Sequence, residues 1–146
     1  MEYGGGNSLD QYMRSKPEGR LDEKEAKFIF KQVLEAVKYL HEMKITHRDI
    51  KTENILLNKH LNLKLIDFGF SLICIFFLKI GYPNKNISSY CGTPTYMPPE
   101  VVSKTPHNPQ LADRWSLGVL LFNMLNGNCP FRASTQKELF QKIIQG

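Results

Sequence analysis

The densest chemistry in the chain is the octet His47-Arg48-Asp49-Ile50-Lys51-Thr52-Glu53-Asn54. It sets two acids and three bases between two apolar runs, residues 33–39 and Ile55-Leu56-Leu57. Standing alone, a run that polar is a solvated turn between a helix and a strand. It does not stand alone. Asp67-Phe68-Gly69 follows, then Gly92-Thr93-Pro94, Pro99-Glu100 and Asp113-Arg114-Trp115-Ser116-Leu117-Gly118. Residues 55–57 and 61–66 are expected as short strands joined by a turn at Asn58-Lys59-His60, with Asp67 at the end of the second. Strands flanking a polar loop would hold Asp49, Asn54 and Asp67 close together. A shared set of Asp and Asn oxygens is what a hard cation such as magnesium requires.

The elements that must position this loop are mostly helical. Asp22 is the expected N-cap of a long helix over 23–43, with Glu25 three residues on in a capping-box pattern. Ala26, Phe30, Val33, Val37 and Leu40 recur at helical spacing, and this helix is expected to buttress the octet. His41 near its end is expected as a capping or surface residue. A short helix over 9–15 precedes it and ends at Pro17-Glu18-Gly19. Residues 113–125 predict a helix buried nearly all round, because Trp115, Leu117, Val119, Leu120, Leu121, Phe122 and Leu125 leave little polar face. Ser134 is expected to cap a last helix with Leu139, Phe140, Ile143 and Ile144 on one side.

The totals set outer bounds. The 146 residues suffice for one domain with a core. A hydrophobic share of 42% and a charged share of 23% are ordinary for a globular chain. The net charge of +5 is spread along the sequence without a block of like charge, which argues against a nucleic-acid partner. Cys74, Cys91 and Cys129 are spaced for neither a disulfide framework nor zinc, which suggests a reducing, cytoplasmic setting. The opening residues have no signal-peptide pattern. The longest apolar run, 72–78, is too short to span a bilayer, so no membrane partner is expected.

Taken in order, the motifs resemble the large lobe of a eukaryotic serine/threonine protein kinase. The wording of 115–146 looks most like the calmodulin-dependent and AMP-activated branch. The resemblance implies a mainly α fold with short β-hairpins around a catalytic loop and the small lobe absent. Residues 1–146 would then be a partial kinase domain, with 72–87 an atypical insertion. It also implies ATP and Mg2+ as cofactors, a protein substrate, and an upstream activating kinase as a partner. Asp49 matches the catalytic base and Lys51 the residue that meets the transferring phosphate. Asn54 and Asp67 match the metal ligands. Glu2 and Gly4 would face the adenine through their main chain, and Leu56 would floor its pocket. Glu53 joins them at the nucleotide. His47 and Phe68 match members of a packed spine, and Asp113 matches the residue that anchors the catalytic loop from below. Arg48 would pair with a phosphorylated Ser89, with Ser88 as the second candidate. Thr93 would bond near Asp49 and Lys51, and with Lys51 it points to serine and threonine as acceptors.

Four departures accompany the match. No glycine-rich phosphate loop, paired lysine or helix glutamate is found in the sequence. Losing even one such electrostatic clamp costs on the order of 10²–10³ in rate, so weak or no turnover is expected of 1–146 alone. The arginine that pairs with the Glu100 position is missing, so Glu100 must find another partner or sit exposed. Pro98 stands where the family has alanine, and a modest local distortion is expected. Residues 72–80 are apolar and rich in strand formers, the profile of an aggregation hazard. They read either as a true insertion or as a translated intron. The alternative function is a non-catalytic kinase-like scaffold, or a gene fragment.

Overall fold

A computed structural model describes residues 6–73 and 90–146. The expectations placed on Glu2, Gly4, Cys74, Ser88, Ser89 and nearly all of 72–87 lie outside the described residues. In chain order the elements are β1 (Asn7–Ser8), α1 (Leu9–Arg14), α2 (Glu23–Glu42), β2 (Ile45–Thr46), β3 (Ile55–Leu57), β4 (Leu63–Leu65), β5 (Leu72–Ile73), α3 (Pro99–Val102), α4 (Pro109–Asn126) and α5 (Gln136–Gln145). Two short 3-10 turns, Thr52–Asn54 and Pro94–Tyr96, complete them. Helix predominates, as expected.

α2 starts where the sequence places it, with the Asp22 carboxylate accepting from the Glu25 amide at 2.8 Å. The reciprocal half of the box is not formed. Glu25 instead accepts from Tyr12 Oη at 2.7 Å and Lys16 Nζ at 2.6 Å, which ties α1 to α2. These partners hold the Lys16 ammonium well above its ordinary value, the Glu25 hydrogen bond foremost. The complete capping box belongs to α1, between Ser8 and Gln11. The buried face of α2 is Ala26, Ile29, Val33 and Val37. Phe30 and Leu40, expected on that face, are half-buried at its edge.

The sheet at the site has the order β1-β3-β4, all antiparallel, with Ser8 opposite Leu56 and Leu56 opposite Lys64. β1 is not among the strands the sequence predicts. A Cβ on Gly6 would lie 2.1 Å from the Leu57 carbonyl oxygen, so only glycine lets β1 approach β3 this closely. The second strand is shorter than 61–66. Leu61 has a left-handed φ of 59°, and Asn58 Oδ1 accepts from both the His60 and Asn62 amides. That asparagine-held turn occupies the first residues of the expected strand. A second ribbon pairs β2 with β5, Thr46 opposite Leu72, across the octet's entrance and Asp67's exit.

α4 runs through the centre. Its Leu117, Val119, Leu120 and Met124 join the main core with Ile29, Val33 and Ile50, while Ala112 joins a second cluster with Val101, Leu139 and Ile143. Phe122 departs from the all-round burial expected and is 42% exposed. Ile144 likewise faces solvent, while Leu139 and Ile143 turn inward from α5 and Phe140 packs half-buried against the same cluster. Thr135, not Ser134, caps α5 by accepting from the Glu138 amide. Pro98 causes no distortion. It sits at the N-cap of α3, where no helical N–H is needed, and its carbonyl accepts from Val101 and Val102. Glu100 is half-buried in the first turn of α3, with no carboxylate partner among the described residues.

Candidate active site

The octet is held from below by one carboxylate. Asp113, fully buried on α4, accepts from the His47 amide at 3.0 Å and from the Arg48 amide at 2.8 Å. Its Oδ2 also accepts from His41 Nε2 at 2.7 Å. His41 is therefore neither a cap nor a surface residue. It reaches from the end of α2 to the anchor of the loop because Asp113 needs a third donor to be buried. The expected anchor role of Asp113 is what these distances describe.

His47 lies wholly inside, and its partners fix its ring. Nδ1 accepts from the Asp49 amide at 3.3 Å, and Nε2–H donates to the Ile66 carbonyl at 2.9 Å. The Ile66 amide in turn donates to the Asn54 carbonyl at 2.9 Å. Both polar groups of Ile66 are thus tied to the octet, immediately before Asp67. Asp67 itself is exposed at a φ of 60° and accepts from the Gly69 amide. Phe68 meets the His47 ring edge-on at 4.9 Å. It is 44% exposed, whereas His47 is fully buried.

Asp49, Lys51, Asn54 and Thr93 form one bonded network. Asp49 Oδ1 accepts from the Thr93 hydroxyl at 2.7 Å. Asp49 Oδ2 meets Lys51 Nζ at 2.9 Å and Asn54 Nδ2 at 3.0 Å. Lys51 Nζ also donates to Thr93 Oγ1 at 2.7 Å. Burial is the largest single influence on the Asp49 carboxyl and pushes it up. Lys51, Thr93 and Asn54 together outweigh burial and hold it below its ordinary value of 3.8. Asn54 Nδ2 donates to the Asp49 carbonyl as well, at 2.8 Å. With both amide hydrogens so directed, Asn54 Oδ1 is left as an acceptor.

Thr93 reaches Asp49 because Gly92 passes against the octet. Gly92 has a φ of 104°, and a Cβ there would stand 2.6 Å from the Arg48 carbonyl oxygen. Beyond it, Tyr96 is buried. Its carbonyl accepts from Ser116 Oγ and its hydroxyl from Asn123 Nδ2, both at 2.9 Å. Burial pushes the Tyr96 hydroxyl up to about 12. A narrow crevice lined by Asp49, Gly92, Thr93, Met97 and His107 opens beside the network.

The remaining candidates lie apart from this network. Arg48 has a left-handed φ of 67° and donates from Nε to the Phe70 carbonyl. Glu53 is exposed and accepts from Thr52 Oγ1, and Leu56 is half-buried in β3. The sequence points His41 to a different role and gives no role to Ile66 or Tyr96.

Among the described residues no three His, Cys, Asp or Glu side chains cluster as a metal site. The donors that suit a hard cation are the Asn54 Oδ1 and the Asp67 carboxylate. Two protein oxygens fit an ion that takes its other ligands from water and phosphate. No helix among the described residues is long and apolar enough to cross a membrane.

The family model described as "Protein kinase domain" matches residues 1–146. The chain is 38% identical, over its whole length, to NUAK family SNF1-like kinase 2 of Rattus norvegicus, covering 22% of that protein. It is 37% identical over its whole length to the probable serine/threonine-protein kinase MARK-A of Dictyostelium discoideum, covering 13%. It is 40% identical over 147 residues to the probable serine/threonine-protein kinase HSL1 of Saccharomyces cerevisiae, covering 9%. The chain thus spans about a fifth or less of these curated relatives.

Proposed function

The chain belongs to the protein kinase family, and from that premise we propose that it supplies the catalytic loop of an enzyme that transfers the γ-phosphate of ATP to serine or threonine hydroxyls of proteins. Its residues then make up a partial kinase domain of large-lobe type, of the branch its relatives' names indicate. Residues 72–87 are an insertion in the segment between Asp67 and Thr93, and Ser89 is the site at which an upstream kinase would act through Arg48. Its setting is a reducing, cytoplasmic one, in keeping with free Cys91 and Cys129.

The observation that carries the proposal is the Asp49 carboxylate bonded at once by Lys51, Thr93 and Asn54. A carboxylate oxygen has lone pairs to spare beyond the Thr93 bond, so Asp49 Oδ1 can accept an incoming hydroxyl. Any carboxylate is too weak a base to remove an alcohol proton at the outset, and Asp49, held below its ordinary value, is no exception. It orients the hydroxyl while the bond from its oxygen to phosphorus forms and the bond from phosphorus to the leaving ADP oxygen breaks. Asp49 then takes the proton, consistent with a loose transition state. Lys51 stands beside Asp49 to meet the negative charge of the phosphoryl group. Asn54 and Asp67 would hold magnesium, which when bound neutralises phosphate charge. Thr93 hydrogen-bonds both Asp49 and Lys51, the place where an alcohol acceptor must enter. The 1–146 sequence has no group of the kind that covers the phosphates from above, so weak or no turnover is expected of these residues alone.

The test is transfer to serine, threonine and tyrosine peptides by the tagged endogenous protein, captured through residues 104–111. Serine and threonine labelling that disappears in Asp49→Asn and in Asp67→Ala is expected. Labelling unaffected by both changes, or confined to tyrosine, would overturn the proposal. Phosphate transfer absent from the wild type would leave the scaffold alternative standing.

A further inference from the structure

The segment 90–93 brings the Thr93 hydroxyl to Asp49, yet among the described residues no backbone–backbone hydrogen bond engages Tyr90, Cys91 or Gly92. Side chains at its two ends fix it instead. At one end Thr93 bonds Asp49 and Lys51. At the other, Tyr90 is held from two separate elements. Its hydroxyl accepts from Gln136 Nε2 at 3.0 Å. Its ring stands edge-on to Phe140, with centroids 6.1 Å apart and planes at 70°. The Lys104 ammonium lies 5.7 Å from the ring centroid.

Gln136 and Phe140 are one turn apart on α5 and so present a single face. Lys104 comes from the other side, just past α3, where its φ is 55°. The Tyr90 residue remains 40% exposed, so burial is not what keeps it there. Edge-to-face rings, an ammonium over a ring and a hydroxyl hydrogen bond are all directional, and together they set where the side chain points.

We propose that Tyr90 is a positioning residue that clasps the 90–93 segment to α5 and thereby sets where Thr93 meets Asp49 and Lys51. Tyr90 touches no reacting atom. Released, it lets Gly92 draw away from the Arg48 carbonyl and Thr93 from Asp49. Misplacement by about 1 Å at a reacting centre is worth about a hundredfold in rate. The kinetic part of this proposal rests on the phosphoryl-transfer reading, and the structural part does not.

The experiment compares wild type, Tyr90→Ala, Tyr90→Phe and Gln136→Ala. The first readout is hydrogen exchange at the Tyr96 and Met97 amides, which bond the Thr93 and Pro94 carbonyls. The second is peptide-phosphorylation kinetics of the tagged endogenous protein. Tyr90→Ala is expected to raise exchange at these two amides about tenfold, with α2 and α4 unchanged. It should also lower kcat while the KM for ATP holds. Tyr90→Phe keeps both ring contacts and should retain most of the protection, and Gln136→Ala should resemble it. If Tyr90→Ala does not fold, the Lys104→Ala/Gln136→Ala pair must show a smaller rise at the same two amides. Unaltered exchange there, or a rise shared equally with α2 and α4, overturns the proposal. An exchange change in a protein whose wild type transfers no phosphate upholds the clasp and overturns the phosphoryl-transfer reading.

Discussion

At the scale of the residue, the site turns on how one buried carboxylate is kept ionised. Burial alone would favour a neutral Asp49, and three donors reverse that. The sign of the consequence is fixed. A carboxyl lowered in the folded state contributes stability above its ordinary value and loses it as pH falls through the folded one. Acid unfolding of the wild type should therefore carry an Asp49 component below about pH 4. Asp49→Asn should flatten the stability curve there, as urea midpoints between pH 2 and pH 6 would read. Asn54 gives the complementary case. Its amide donates twice to Asp49, so Asn54→Asp would set two carboxylates within about 3 Å, where both cannot ionise freely. Unfolding should become easier by about 1–3 kcal/mol at pH 7. The deficit should shrink toward pH 4 as one carboxyl takes a proton. A thermal midpoint no lower than that of wild type at pH 7 would count against this arrangement of the network.

At the scale of the element, the octet is a turn fastened to α4, and the fastening is the long-range part of the fold. Asp113 satisfies three donors from two segments, the His47 amide buried and the other two part-buried. Its replacement by alanine orphans them all, and a loss of about 3–5 kcal/mol in urea unfolding is expected. Gly92→Ala acts from the opposite side. With a φ of 104° and a Cβ only 2.6 Å from the Arg48 carbonyl oxygen, it should cost about 1–3 kcal/mol. Phosphate transfer should fall further than stability does, because Thr93 is displaced with it. These contacts also mark what local sequence discloses. The octet, Asp22 as cap, and the strands after Asn54 are written in short-range spacing and turn chemistry, and α2 is written in its period. His41 was misassigned because its partner lies 72 positions away. Gln32 escaped notice for the same reason. It donates to the Leu61 carbonyl and accepts from the Leu63 amide, which pins the β3–β4 turn to α2. β1 is only two residues long and is specified by the backbone approach at Gly6, a signal that composition presents as flexibility. The network of Asp49, Lys51, Asn54 and Thr93 was legible only as a resemblance, since 42 residues separate Lys51 from Thr93.

At the scale of the whole molecule, α4 is the axis to which both cores and the site are joined. Trp115 packs against both clusters and stacks on Phe131, with ring planes 9° apart. Asp113, two residues earlier, carries the octet. Strain at one core therefore reaches the loop through a single rigid helix. The composition of α4 makes it look uniformly buried, but the described fold separates its positions sharply. Leu120 is fully enclosed, while Phe122 is 42% exposed. Leu120 is fully buried in the main core, so the cavity left by Leu120→Ala should cost about 2–5 kcal/mol. Phe122→Ala removes a larger side chain from a surface already wet and should change stability by less than about 1 kcal/mol. Because the helix is shared, the Leu120 cavity should also raise hydrogen exchange at the His47 and Arg48 amides, which Asp113 protects, whereas Phe122→Ala should leave them as they are. Equal destabilisation by the two changes, or octet amides indifferent to Leu120→Ala, would mean that α4 does not couple the core to the site in this way.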